Sequence, residues 1–322
     1  MNSIISGTGS YLPPISMSND DIAKLVTTSD EWIYERTGIK RRHIAKEDTT
    51  VSMAVKAAKA AIEDANISAE DLDLIIVGTI SADELLPSTA CRVQASLGAS
   101  KAVAFDVNAA CSGFLFAMSI ANAYIKSNTC KHALIIGVET LSKITDWTDR
   151  GTCVLFGDGG GAAILSASQD KGIIQINQGS DGRGGDKLYC LSRSNENPYT
   201  STDKGLGYIT MDGPSIFKFA IKQVPKVINN LINDNNLNID DISLFVLHQA
   251  NLRILNTISK RLDIPMDKIP ANMDECGNTS AASVPILLDH LNKSGKLKSG
   301  DLIIVAGFGA GLTWGGALLY WH

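Results

Sequence analysis

The chain has 322 residues, 44% hydrophobic and 20% charged, the proportions of a folded globular protein rather than a disordered, fibrous or coiled-coil one. Its 29 Lys and Arg against 34 Asp and Glu give a formal charge of −5, which argues against a broad nucleic-acid surface, where affinity comes from many cations meeting phosphates. Residues 1–14 lack the basic start and apolar run of a signal peptide, and the most apolar stretch, 113–125, falls short of the roughly 18 residues a bilayer needs, so a cytoplasmic protein with no membrane partner is expected.

In chain order, short Val- and Ile-rich runs at 74–77, 102–107, 133–138, 162–165, 244–247 and 302–305 alternate with helical patterns. Such alternation predicts an α/β fold of buried, mostly parallel strands joined by helical crossovers. Two pairs of runs repeat: 74–77 resembles 244–247 at an offset of 170 residues, and 133–136 resembles 302–305 at 169. Small-residue stretches at 109–113 and 278–283 keep the offset, and each leads into an apolar helical pattern. An internal duplication into halves 1–169 and 170–322 is therefore expected, with the two helix starts brought close together. Free N–H groups at such starts favour negative charge, so chemistry is expected to concentrate there.

Six cysteines at 91, 111, 130, 153, 190 and 276 include no Cys-x-x-Cys pair, which argues against a disulfide framework or a zinc site. Cys111 lies between Ala110 and Ser112 ahead of the apolar pattern 114–125, where a helix N-terminus is expected to stabilise its thiolate and make it a nucleophile. An ordinary buried thiol is the alternative. His248 stands at the C-terminal end of a predicted parallel strand, the end where α/β sheets bind ligands, although a core or cap histidine has the same address. Asn278 enters the second small-residue stretch as either a helix N-cap or a side-chain donor. The run 307–311, Gly-Phe-Gly-Ala-Gly, follows the last predicted strand and offers backbone N–H groups for half of an oxyanion hole.

Ala-Ala-Cys-Ser-Gly-Phe around Cys111, His-Gln-Ala-Asn from His248, Gly-Asn-Thr-Ser-Ala-Ala-Ser around Asn278 and the closing Phe-Gly-Ala-Gly-Leu-Thr-Trp-Gly together resemble the β-ketoacyl-acyl carrier protein synthase III family. The likeness runs from Gly7 to Trp314, nearly the whole chain. These are the initiating condensing enzymes of bacterial type II fatty acid synthesis, so the resemblance implies the thiolase fold, two similar halves in a five-layered αβαβα sandwich. It implies a Cys111-His248-Asn278 triad that condenses an acyl-CoA primer with malonyl-acyl carrier protein through an acyl-Cys111 intermediate, with no cofactor and no metal. The oxyanion would lie between the N–H groups of Cys111 and Ala310, a position where many relatives carry Gly. Thr28, Trp32, Arg36, Arg150 and Asn251 match the family's CoA contacts, with the adenine between Trp32 and Arg150. Lys218, Gln249, Ala250, Asn251, Leu252, Arg253, Lys260 and Arg261 match its docking surface for the acidic carrier protein, and Pro225 is expected to kink the helix that follows Lys218. In relatives a residue at Leu86 reaches across a homodimer to limit the partner's acyl pocket, and Leu in place of the Phe of acetyl-selective members would admit branched or longer primers. Elongating ketosynthases differ in placing a second His at Asn278, and hydroxymethylglutaryl-CoA synthases in using an additional catalytic Glu, for which no motif is seen. The alternatives are a starter-unit ketosynthase or acyltransferase of secondary metabolism, or a non-catalytic acyl-CoA-binding protein.

Overall fold

The computed structural model describes residues 1–192, 197–200 and 207–322. Strand β1 (Asn2–Tyr11) leads to a small pair, β2 (Ser16–Ser18) and β3 (Arg41–His43), that encloses helices α1 (Asn19–Ala23) and α2 (Asp30–Thr37). Then come α3 (Thr50–Asp64), β4 (Leu74–Gly78), α4 (Thr89–Leu97), β5 (Val103–Val107), α5 (Gly113–Lys126), β6 (His132–Glu139) and β7 (Gly159–Ser168). The chain continues through β8 (Ile173–Ser180), β9 (Leu188–Cys190), β10 (Ile209–Met211), α6 (Gly213–Asp234) and β11 (Leu244–Leu247). It ends with α7 (Leu252–Leu262), α8 (Met273–Cys276), α9 (Ser283–Lys293), β12 (Leu302–Gly309) and β13 (Thr313–Tyr320).

One sheet, in the order β1-β7-β6-β4-β5, draws on residues 2–168, and another, β8-β13-β12-β11, on residues 173–320. The two orders correspond strand for strand, except that the second sheet has no counterpart of β5 among the described residues. All six predicted runs are strands, but their expected mostly parallel arrangement needs correction. β4 pairs parallel with β5 and β6, and β11 with β12, whereas β7 and β13 return antiparallel to β6 and β12. Only residues 310–312 separate β12 from β13, enough for a hairpin and far too few for a parallel crossover.

Strand alternation then divides the side chains among layers. Ile75 and Val77 face outward onto α3 and α4, sharing a core with Ala54, Ala58 and Val93. Leu74 and Ile76 face inward, as do Ile303 and Val305 of the other sheet, and α5 and α9 fill the space between them with Phe114, Met118, Leu287 and Leu288. Ile304 and Ala306 face outward onto α6 and α7. The result is the five-layered αβαβα sandwich. Each fully buried Leu or Ile contributes roughly 1.5–3 kcal/mol, and the middle layer takes them from both halves, so it binds the halves into one unit.

Helix α6 continues through Pro225 to Asp234, where the sequence predicts a kink. Proline has no N–H for the carbonyl one turn earlier, that of Ile221. Arg261 of the neighbouring α7 donates its Nη1–H to that carbonyl oxygen at 2.7 Å. The bond lost within one helix is thus replaced from another.

Candidate active site

Two tight turns, Ala110–Ser112 and Ser280–Ala282, precede α5 and α9 and pack together where the halves meet. Ala110 and Ser280, 170 positions apart, hold φ values of 47° and 49°. A residue with a Cβ costs about 1–3 kcal/mol in this region, and such strain persists where the surroundings impose it. Neither α5 nor α9 has a side-chain cap at its N-terminus; the N–H groups of Gly113 and Ser283 bond the carbonyls of Ala110 and Ser280 in the preceding turns. Cys111 is partly exposed and, with Ser280, Ala310 and Thr313, lines a cleft of about 1330 Å³. Leu141, Ile144, Phe156, Leu188 and Ile209 give this cleft an apolar wall.

His248 follows β11, and its N–H bonds the carbonyl of Ala306 on β12. A methyl group at Gly307 would lie 3.2 Å from Cβ of His248 and 3.9 Å from the carbonyl oxygen of Cys111, so the two residues flank one point of β12. Asn278 is tied to the first half through Leu155 and Gly157, whose backbone groups bond its N–H and carbonyl. Its Oδ1 accepts the N–H of Ser280 at 2.9 Å, which leaves the amide Nδ2 as the free donor. The cap positions of the turn Ser280–Ala282 and of α9 fall to Thr279 and Ala282, so Asn278 is not itself a helix N-cap. The Gly-rich run is the end of β12 rather than a loop beyond it, and only residues 310–312 turn. Ala310 takes no positive φ, so its N–H is presented by ordinary backbone.

Burial governs the proton affinities. It pushes the His248 ring down to about 3, so the imidazole is neutral at physiological pH. Ser283 Oγ stands 2.6 Å from His248 Nδ1 and also accepts the Gln249 N–H, and a Ser283 hydroxyl that donates to Nδ1 leaves the ring proton on Nε2. The expectation of a stabilised Cys111 thiolate is corrected. Burial, the larger cause, and the Glu139 carboxylate together push the thiol up to about 12, with a hydrogen bond to Ser280 working the other way. Glu139 itself, at the end of β6 with no exposed surface, is pushed up to about 7 by burial.

The other candidate residues lie outside the cleft lining. The guanidinium carbons of Arg36 and Arg150 stand 4.4 and 4.8 Å from the Trp32 ring centre, and Arg150 also donates to the Thr27 carbonyl. Beside them Thr28 Oγ1 is buried without a partner. Asn251 caps α7 by accepting the Arg253 N–H. Lys218, Arg253, Lys260 and Arg261 are exposed on α6 and α7, with Ala250 and Leu252 half-buried nearby and Arg253 over the Phe217 ring. Gln249 does not belong to an exposed docking surface. It is buried, donates to the carbonyls of Leu247 and Pro270 and accepts the Asn272 N–H. Leu86, by contrast, lines the cleft and is 86% exposed.

Three residues were not singled out from the sequence: Ser283 and Ser280, quoted within the Asn278 motif without a role, and Glu139. The signal that picked out His248, a polar residue at the C-terminal end of a predicted parallel strand, applies equally to Glu139.

A duplicated αβαβα sandwich with Cys, His and Asn gathered where its halves meet defines a thiolase-fold condensing enzyme, an acyltransferase. Family models described as 3-oxoacyl-(acyl-carrier-protein) synthase III match residues 105–182 and, for the C-terminal part, 232–321. The beta-ketoacyl-(acyl-carrier-protein) synthase III of Clostridium acetobutylicum is 50% identical over 324 residues, covering 100% of this chain and 99% of that protein. The chain belongs to this family, the condensing enzymes that initiate fatty acid synthesis. The crystal structure of the 3-oxoacyl-(acyl-carrier-protein) synthase III of Aquifex aeolicus VF5 is similar at 45% identity and TM-score 0.93, covering 99% of this chain and 100% of that one. The priming beta-ketosynthase of the R1128 polyketide pathway is similar at 35% identity and TM-score 0.93, covering 99% and 96%.

Proposed function

We propose that the protein joins an acyl-CoA primer to malonyl-acyl carrier protein with loss of CO₂, through an acyl group carried on Cys111, and that it needs no cofactor or metal. The observation that carries this reading is the junction itself: Cys111 of the first half and His248 of the second flank Gly307, and Ser280, whose N–H bonds Asn278 Oδ1, lines the same cleft as Cys111.

Attack of Cys111 sulfur on the primer thioester forms a tetrahedral oxyanion, with the N–H groups of Cys111 and Ala310 as its donors. CoA leaves, and the malonyl thioester takes its place. Its carbonyl accepts Nε2–H of neutral His248 and Nδ2–H of Asn278, two uncharged donors that stabilise the enolate formed as CO₂ departs. The enolate carbon attacks the acyl-Cys111 carbonyl, and the product leaves as a 3-oxoacyl thioester of the carrier.

The CoA adenine would enter between Trp32 and Arg150, moving the guanidinium now standing over the ring, with Thr28, Arg36 and Asn251 around the rest of the nucleotide. Lys218, Arg253, Lys260 and the Ala250–Leu252 segment would receive the acidic carrier protein, Arg261 contributing charge besides its bond to Ile221. The unpaired outer edge of β5, with Val103 exposed, and exposed Leu86 at the cleft support a homodimer in which Leu86 meets the partner's acyl pocket. Six free cysteines fit the reducing cytoplasm. The halves 1–169 and 170–322 would then divide the work, nucleophile in the first and enolate donors in the second.

Incubation with acetyl-, isobutyryl- and hexanoyl-CoA, followed by intact-protein mass measurement, tests the reading. A stoichiometric acyl gain that Cys111→Ala abolishes is expected, followed by discharge on adding malonyl-carrier. No gain with any primer rejects it.

A further inference from the structure

Asn278 serves as a donor only if its amide is turned the right way, and a single contact sets that direction. Its backbone is held by Leu155 and Gly157, but among the described residues its side chain is bonded through Oδ1 alone, to the Ser280 N–H at 2.9 Å. That N–H meets Oδ1 from a left-handed turn, with Ser280 at a φ of 49°, which a residue with a Cβ does not adopt unless its surroundings impose it. What imposes the turn lies beneath it, at the end of β6.

Gly137 and Glu139 stand two residues apart on β6 and so face the same way. The backbone of the turn rests on the first, since a Cβ at Gly137 would collide with the Ala281 carbonyl oxygen. The second has no solvent contact, and its two carboxylate oxygens divide between the halves. Oε2 accepts Thr79 Oγ1–H at 3.2 Å, the Ile80 N–H at 3.1 Å and the Ser81 hydroxyl, all just beyond β4. Thr79 Oγ1 in turn accepts the Ser81 N–H, and Ser81 Oγ the Thr140 N–H, which leaves both hydroxyl hydrogens for the carboxylate. Oε1 accepts Ser280 Oγ–H at 3.1 Å from the second half, with the Ile80 N–H a longer contact at 3.4 Å. A buried carboxylate is tolerated when donors satisfy it, and bonds to a charged acceptor are stronger than those between neutral groups, which suits an anchor.

We propose that Glu139 is a positioning residue for the malonyl half-reaction: it holds Ser280 in its left-handed turn, and through the Ser280 N–H it keeps the Asn278 Nδ2–H aimed at the malonyl thioester carbonyl. The first half of the molecule thereby sets the direction of a donor that belongs to the second. Glu139 lies outside the cleft lining, so it acts through Asn278 rather than on substrate. The N–H groups of Cys111 and Ala310, the oxyanion donors of acylation, are not part of this chain of bonds. Misdirection of the amide therefore slows decarboxylation and leaves primer transfer to Cys111 nearly intact.

The proposal rests on the reading of Asn278 as a malonyl donor, and its test keeps the two apart. Primer-independent malonyl decarboxylation and single-turnover acylation by acetyl-CoA are measured on folded Glu139→Ala, Glu139→Gln and Ser280→Ala. Glu139→Ala and Ser280→Ala are expected to lose at least about tenfold in decarboxylation kcat, short of the roughly 10²–10³ for removal of the amide itself, with acylation within about threefold of the wild type. Glu139→Gln keeps an oxygen for Thr79, Ile80 and Ser81 while its amide turns to Ser280 Oγ, so it should retain most of the rate. Added to Asn278→Ala, Glu139→Ala should cost no more than about twofold further, because the amide it positions is gone. Losses that multiply, or that fall equally on acylation, mean a merely structural role and overturn the proposal. If Glu139→Ala does not fold, Ser280→Ala, which cuts the bond to Oε1 and leaves the backbone N–H, decides in the same way. The Asn278 side-chain amide NMR signal, identified by its absence from Asn278→Ala, gives a readout free of activity. It should shift or double in Ser280→Ala, and an unchanged signal also overturns the proposal. Wild-type decarboxylation in Asn278→Ala would sink the donor reading alone, and the NMR signal would still decide whether Glu139 orients the amide.

Discussion

Gly309→Ala separates the two half-reactions. A Cβ at Gly309 would lie 2.7 Å from the backbone nitrogen of Cys111, 3.2 Å from Ala110 Cβ and 3.3 Å from Cys111 Cα. Ordinary van der Waals contact begins at 3.4 Å, so the Cys111 N–H must move by about 0.7 Å, and a backbone atom in a strained turn has little freedom to do so. An oxyanion donor works at about 2.7–3.1 Å, and losing one typically costs about 2.7–4 kcal/mol, or roughly 10²–10³ in rate. Overpacking should cost roughly 1–3 kcal/mol of stability as well, so the comparison is made only on folded protein. Rapid quench followed by intact-mass analysis gives the acylation rate, and primer-independent malonyl decarboxylation gives the other half. Acylation should fall by two to three decades, and decarboxylation by much less. Gly307→Ala, whose Cβ would press on His248 at 3.2 Å, should show the reverse bias. If folded Gly309→Ala acylates within about threefold of the wild type, the Cys111 N–H is not the oxyanion donor.

His248→Ala and Asn278→Ala should each lower malonyl decarboxylation by roughly 10²–10³ while Cys111 still accepts a primer, and condensation at the wild-type rate in either would show its role to be misassigned. Arg261→Ala should cost about 1–2 kcal/mol in urea denaturation and less when Pro225→Ala supplies Ile221 with an intrahelical N–H; additive effects would mean that Arg261 does not compensate for the proline. Stability should also depend on pH with two opposite signs. His248, lowered from 6.5 to about 3, contributes stability that is complete above pH 6.5 and is lost as pH falls toward 3. Glu139, raised from 4.5 to about 7, contributes most below pH 4.5 and loses roughly 3 kcal/mol as pH rises through 7. Urea midpoints of Glu139→Gln should therefore gain on those of the wild type between about pH 5 and 8.5, and a constant gap contradicts the raised carboxyl.

Much of this was legible in the sequence because apolar periodicity reports burial. The runs at 74–77 and 302–305 are strands because Val and Ile packed on both faces leave little else for them to be. Direction was not legible, since 162–165 has the same apolar content whichever way it runs, and the short turn that reverses β13 shows only in three dimensions. Position along the chain located Cys111, but not the balance between helix start and burial that sets its proton. Gln249 read as a docking-surface residue because the family resemblance puts the segment 249–253 there. Its partners Leu247, Pro270 and Asn272 come together only after β11 and α8 are in place. Pro225 signalled a carbonyl without its intrahelical partner, but not the group that meets it, because Arg261 lies 36 residues away.

The correspondence between the two turns has a consequence for how such a protein can change. Offset by 170 residues, Cys111 faces Ala281, Glu139 corresponds to Gly309, and His248 to Gly78. A perfectly symmetric molecule would be inert in either version. With Gly at both strand ends Ser280 would have no carboxylate, and with Glu at both a side chain would fill the space now taken by the Cys111 amide. On the proposed mechanism activity requires the copies to differ at matched positions, so a substitution that makes one half more like the other is expected to erode the site even though each residue is already accommodated somewhere in the same fold.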